Sequence, residues 1–138
     1  MEATLKMFAF LLLCCLCNGG NAYEECKPSD LAITQTVVPG HVVGGYRVYA
    51  VAVENRCICS QGEVKLACRG FNSSVHVDPA GVLRPDGDGE LCTLNGSRPI
   101  AMGLEYAVKF YYAWSSQFSF KPVSSTIACS PAAPEPSW

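Results

Sequence analysis

The sequence predicts an all-β protein, a small disulfide-stapled antiparallel β-sandwich, and three observations carry that expectation. Apolar and polar residues alternate in several short runs, the pattern of strands that bury one face. Turn residues separate the runs, and no apolar stripe of helical period has useful length. Six cysteines remain once an N-terminal leader is set aside, an even count in a chain of 138 residues.

The leader comes first. Met1 to Lys6 is a short head with one positive residue, Met7 to Cys17 is an unbroken apolar run of 11 residues, and small and polar residues follow from Asn18 to Ala22. This three-part layout is that of a secretory signal peptide over residues 1–22, with the small residues Gly20 and Ala22 placing cleavage after Ala22 and a site two or three residues earlier as the alternative. The apolar run is too short for a transmembrane anchor, which needs about 20 apolar residues. No later stretch could span a bilayer, so the expectation is a secreted, extracellular product with no membrane partner. Residues 23–129 then form the β-sandwich domain, and the proline-rich tail at 130–138 is expected to be disordered.

Cys14, Cys15 and Cys17 leave with the leader. Cys26, Cys57, Cys59, Cys68, Cys92 and Cys129 remain and are expected to form three disulfides. Their spacings fit no zinc pattern and both histidines lie away from them, so no metal is expected. Six cysteines allow 15 pairings, and the sequence leaves them open. Cys57 and Cys59, two apart on a strand, point to one side and should take different partners. A bond from Cys26 or Cys129 to the middle of the chain would close a long loop and stabilise by roughly 3 to 5 kcal/mol.

Along the domain, Asp30 to Val38 is the first strand, and Pro39-Gly40 with Gly44-Gly45 bound a turn region. Arg47 to Asn55 places Tyr49, Val51 and Val53 on one face, and Glu63 to Cys68 places Val64, Leu66 and Cys68 inward. Ser60-Gln61-Gly62 between them reads as a hairpin connection. Val75 to Val77 is a short strand, and Pro79 to Gly89 is turn-rich, with a β-turn at Arg84-Pro85-Asp86-Gly87. Glu105 to Tyr112 puts Tyr106, Val108, Phe110 and Tyr112 on one face, and Val123 to Cys129 is the last strand. A domain of this length buries a modest core that covalent bridges help to hold.

The charge balance narrows the partners. Of ten Lys and Arg and twelve Asp and Glu, Lys6 and Glu2 leave with the leader, so nine against eleven remain, a net charge of −2. No basic run stands out, which argues against nucleic acid and anionic membranes. There is no nucleophile elbow, no H-E-x-x-H, no P-loop and no G-x-G-x-x-G, so neither an enzyme nor a cofactor is expected. His41 follows a turn and His76 lies between Val75 and Val77, and both read as ordinary surface or edge residues. Asp86-Gly87-Asp88-Gly89-Glu90 has the opening letters of a calcium loop without its closing glutamate, and reads as a tight turn. Asn72-Ser73-Ser74 and Asn95-Gly96-Ser97 are glycosylation sequons in predicted loops. Tyr111, Trp114 and Phe118 could make a sugar platform if exposed, with core packing the favoured reading. They keep a carbohydrate- or cell-wall-binding module, with a glycan as partner, in view as the alternative.

The order of these features resembles one family. The residues are Cys26-x3-Asp30-x-x-Ile33-x-Gln35, then Tyr49-x-Val51-x-Val53-x-Asn55-x-Cys57, then Val64-x-Leu66-x-Cys68-x-Gly70-Phe71-x-Ser73, followed by Asp88-Gly89-x-x-Cys92, Phe110-x-Tyr112-Ala113 and Ala128-Cys129. With all six cysteines in this order, the domain resembles the tapetum determinant-like proteins of plants. The resemblance implies a secreted apoplastic signalling ligand for the ectodomain of a leucine-rich-repeat receptor kinase, acting in cell-fate specification in the anther. Some relatives carry an N-acetylglucosaminyltransferase label, and this sequence argues against it. Asp86-Gly87-Asp88 has the letters of a donor-metal motif without the larger α/β fold around it. No dibasic pair occurs, so removal of the leader is the one processing step expected.

Overall fold

The computed structural model describes residues 26–129. The leader at 1–22 and the tail at 130–138 lie outside the described residues. Eight strands are present: β1 (Leu31–Val43), β2 (Tyr46–Asn55), β3 (Ser60–Ala67), β4 (His76–Asp78), β5 (Leu83–Pro85), β6 (Leu91–Leu94), β7 (Val108–Trp114) and β8 (Lys121–Ala128). They form two four-stranded sheets, ordered β1-β2-β7-β4 and β5-β6-β3-β8, with every strand pair antiparallel. The expected sandwich is therefore the observed one.

The alternation in the sequence becomes the core. Tyr49, Val51 and Val53 of β2 and Val108, Phe110 and Tyr112 of β7 face Val64 and Leu66 of β3 and Cys92 and Leu94 of β6, all buried. Phe71, Phe118 and Phe120 close one side, with Phe71–Phe118 ring centroids 5.3 Å apart and Tyr112–Phe120 5.6 Å apart, both rings near edge-on. Each such ring contributes on the order of 1.5 to 3 kcal/mol through burial, plus a smaller gain from edge-to-face geometry.

The predicted hairpin at Ser60-Gln61-Gly62 is not formed. β2 pairs with β1 and β7, whereas β3 pairs with β6 and β8 in the other sheet. Residues Arg56 to Cys59 carry the chain across, so Cys57 and Cys59 sit in the crossing and not on a strand. Ser60-Gln61-Gly62 instead opens β3, where a register shift between Gly62 and Lys65 puts Glu63 at φ 47°. Local turn chemistry was compatible with a hairpin, but the crossing is fixed by tertiary bonds that short-range patterns do not carry.

Three smaller departures follow. β1 runs through Pro39-Gly40 to Val43, with a register shift between Val37 and Val42 that absorbs the turn residues. Because β1 is an edge strand, the missing donor of Pro39 costs no ladder bond. The turn-rich segment contains β5, which pairs with β6 just beyond it, with Pro85 likewise on an edge strand. Tyr106 lies in a single turn of 3-10 helix (Leu104–Tyr106), outside β7, and is 58 % exposed.

Candidate functional site

The six cysteines pair as Cys26–Cys57, Cys59–Cys129 and Cys68–Cys92. Neighbours Cys57 and Cys59 take different partners, as expected, and tie both ends of the domain to the crossing. Beside them lie the two fully buried polar side chains, Asn55 and Gln61. The Asn55 amide donates to the carbonyls of Cys59 (2.8 Å) and Ile100 (2.9 Å), and its oxygen accepts from the Cys57 N–H (2.9 Å). Gln61 Nε2 donates to the Lys27 carbonyl at 3.0 Å, and its oxygen accepts from the Ser125 hydroxyl at 2.7 Å. Ile100 and Gln61 also exchange both backbone bonds, at 2.8 and 3.1 Å. Five segments of the chain therefore meet at one satisfied polar knot.

A second pin holds the loop before β8. The Tyr112 hydroxyl donates to Gln35 Oε1 at 2.6 Å and accepts from the Phe118 N–H at 3.0 Å, while Gln35 Nε2 donates to the Phe118 carbonyl at 2.7 Å. Burial pushes the Tyr112 hydroxyl up to about 12, against the Phe118 bond, which works the other way. No buried side-chain N or O among the described residues lacks a partner. The interior polar groups are thus engaged in holding the chain.

The outer surface displays apolar residues on the β1–β2 hairpin, where Val37, Val42, Val43 and Tyr46 are 40 to 66 % exposed, and on the stretch before β7, where Met102, Leu104 and Tyr106 are 49 to 69 % exposed. Tyr46 rests on Trp114, with centroids 5.3 Å apart. Next to it is a cleft of about 330 Å³ between the far half of β1 and the strands β4 and β7. Its floor includes Val48 and Ala113, which alternate with the core residues Tyr49 and Tyr112 and so face outward, yet are buried. His41, His76, Asp78 and Tyr111 stand around it. The two histidines are far apart in sequence and meet only because the far half of β1 reaches the side of the sheet where β4 pairs with β7. No signal in the linear sequence could have paired them.

The remaining candidates have structural roles or separate. Asp86 accepts from Lys65 Nζ (2.8 Å) and the Thr93 hydroxyl (2.6 Å), and those bonds, Lys65 first, lower its pKa. Asp88 accepts from the N–H groups of Leu91 and Glu90, both at 2.8 Å, which lower its pKa. Both acids thus serve the β5–β6 connection. The sugar platform is not assembled: Phe118 is 8 % exposed, Trp114 stacks on it at 6.3 Å, and Tyr111 projects from the other face of β7. Alternation within β7 sends Trp114 and Tyr111 to opposite sides. Asn72 is exposed and Asn95 half-buried, both in loops.

The fold is that of a small, covalently braced two-sheet β-sandwich, and its disulfides point to an extracellular setting. A family model described as "Tapetum determinant 1, C-terminal" matches residues 27–130, and the chain belongs to that family. No curated protein and no solved structure matches it. Membership points to signalling in plant reproductive development, in a family of signalling proteins and not of enzymes. Cys57, Gln35, Asn55 and Tyr112, four residues that carry the sequence resemblance, are among those that form the crossing and the two polar pins.

Proposed function

We propose that the protein is a secreted signalling ligand bound by the ectodomain of a leucine-rich-repeat receptor kinase and acting in cell-fate specification in the anther. Residues 1–22 serve as its signal peptide, the mature protein acts in the apoplast, and at least one of Asn72 and Asn95 accepts an N-glycan. The observation that carries this reading is the β1–β2 hairpin, which exposes Val42 at 66 %, Val37 at 47 % and Tyr46 at 41 % beyond the pinned core. Exposed apolar and aromatic residues on a rigid frame lose little conformational entropy when a partner covers them.

The test is a pull-down of leucine-rich-repeat ectodomains with the oxidised mature protein, beside a glycan array. One ectodomain is expected to be retained, and a Val42→Ser/Tyr46→Ser variant to lose it while keeping its melting temperature. Retention of no ectodomain together with binding of one glycan would overturn the reading.

A further inference from the structure

Arg84, Arg98 and Lys109 line one open concavity of about 900 Å³ on the side where β4 and β5 form the sheet edges. They come from β5, from the turn after β6 and from β7, which is why no basic run marks them in the sequence. None of the three is in an ion pair among the described residues, whose pairs are Arg56–Glu54, Lys65–Asp86 and Arg69–Glu90. The one carboxylate on the wall, Asp86, is already held by Lys65 and Thr93. The cations are also placed. Arg98 Nε donates to the Asn95 carbonyl at 3.1 Å. The Arg84 guanidinium lies over Gly81, where a Cβ would meet Nη2 at 3.0 Å and where φ is +84°. The positive φ favours glycine there, and an added Cβ would displace the Arg84 guanidinium.

The floor of the concavity adds a main-chain feature. β4 ends at Asp78 and pairs with β7 only from Tyr111 to Ala113. From Val108 to Phe110, β7 pairs with β2 on one side, and no described strand pairs with its other edge. Val108 and Lys109 lie on the wall, so this open strand edge borders the three cations.

We propose that the concavity binds an extended acidic peptide segment of the receptor, which lies beside β7 at Val108–Phe110 and sets its carboxylates against Arg84, Arg98 and Lys109. The inference deepens the receptor reading and rests on it for the source of the peptide. An added strand takes register from main-chain hydrogen bonds and specificity from alternate side chains. Two arginines favour carboxylates, which their planar fork can hold with two bonds each. The protein's net charge is −2, so the attraction is local to this site and not a property of the whole surface.

The test uses fluorescence anisotropy on the disulfide-intact protein carrying Ser97→Ala, which removes the Asn95 sequon and so any glycan from the rim. The probes are blocked peptides of alternating Glu-Val, Lys-Val and Glu-Pro, and an oligogalacturonate. Glu-Val is expected to bind and to weaken with added salt. Lys-Val, with the wrong charge, and Glu-Pro, with half its main-chain donors removed, are each expected to bind at least about tenfold more weakly. Arg84→Gln and the exposed Lys109→Glu are each expected to lower Glu-Val affinity by about tenfold at an unchanged melting temperature. Equal binding of Glu-Pro or of oligogalacturonate, or an unchanged affinity in Lys109→Glu, overturns the proposal. If the Arg84→Gln/Lys109→Glu double variant keeps full affinity for a receptor ectodomain, the concavity is excluded and the receptor reading stands. If the wild type binds Glu-Val but retains no ectodomain, the receptor reading fails and the site remains.

Discussion

The two ends of β2 differ in what holds them. At Asn55, the chain crosses between sheets under two disulfides, and the fully buried Asn55 and Gln61 bind several other segments. At Tyr46, the hairpin has no disulfide, and Val37, Val42, Val43 and Tyr46 stand exposed. Stability is concentrated at the first end and display at the second. Substitutions should therefore separate into those that unfold the protein and those that leave it folded but unrecognised.

The largest effect is expected at the crossing. Replacing Cys59 and Cys129 with serine opens a loop of sequence separation 70 and should cost about 4 kcal/mol, measured by denaturant unfolding under non-reducing conditions. Cys68→Ser/Cys92→Ser, with separation 24, should cost nearer 3 kcal/mol. Equal losses would show that loop closure is not what sets the difference. Asn55→Leu keeps the volume but removes the acceptor of the Cys57 N–H and one donor from each of the Cys59 and Ile100 carbonyls, and should cost about 3 kcal/mol. A fall of less than about 1 kcal/mol would deny the knot its role.

Tyr112→Phe comes next, at about 1 to 3 kcal/mol, because it takes the hydroxyl partner from the Phe118 N–H and from Gln35 Oε1. Its pH dependence has a definite sign. The folded hydroxyl titrates near 12 and the unfolded one near 10. The native state thus holds the proton longer, and its contribution is intact below about pH 10 and lost as pH rises toward 12. Stability should fall by on the order of 2 kcal/mol across that window in the wild type, and by less in Tyr112→Phe. Asp86→Asn weakens a partly exposed pair with Lys65 and should cost below about 1 kcal/mol. The lowered Asp86 pKa makes this contribution present at neutral pH and lost as acid protonates the carboxylate, so wild type and variant should converge at low pH. Smallest of all, Val42→Ser/Tyr46→Ser should change stability by only about half a kcal/mol, and its effect should appear in receptor retention.

The same contrast explains what could be read in advance. Tyr49, Val51 and Val53, and Val64, Leu66 and Cys68, alternate in sequence and are buried as expected, because burial of one strand face is a local, period-two property. The crossing after Asn55 was not legible, since a hairpin and a change of sheet use the same turn residues and differ only in distant partners such as Ile100 and Cys129. β5 and β6 are three and four residues long, too short for alternation to register, and Pro85 marked the segment as a turn. The cleft around His41 and His76 and the concavity with Arg84, Arg98 and Lys109 each assemble residues from separate strands, so charge and composition along the chain could not reveal them.

The crossing also sets a timetable for biosynthesis. In an oxidising compartment Cys26 and Cys57 can join before the rest of the chain is made, whereas the partner of Cys59, Cys129, follows it by 70 positions. Until Cys129 arrives, the Cys59 thiol lies two residues from Cys57 and can attack the Cys26–Cys57 bond by exchange. Arrival of β8, whose Ala128 pairs with Ser60, delivers Cys129 to Cys59 and ends the exposure. A chain cut short before its last strand would therefore be released with one reactive sulfur and a bridge that can be reshuffled.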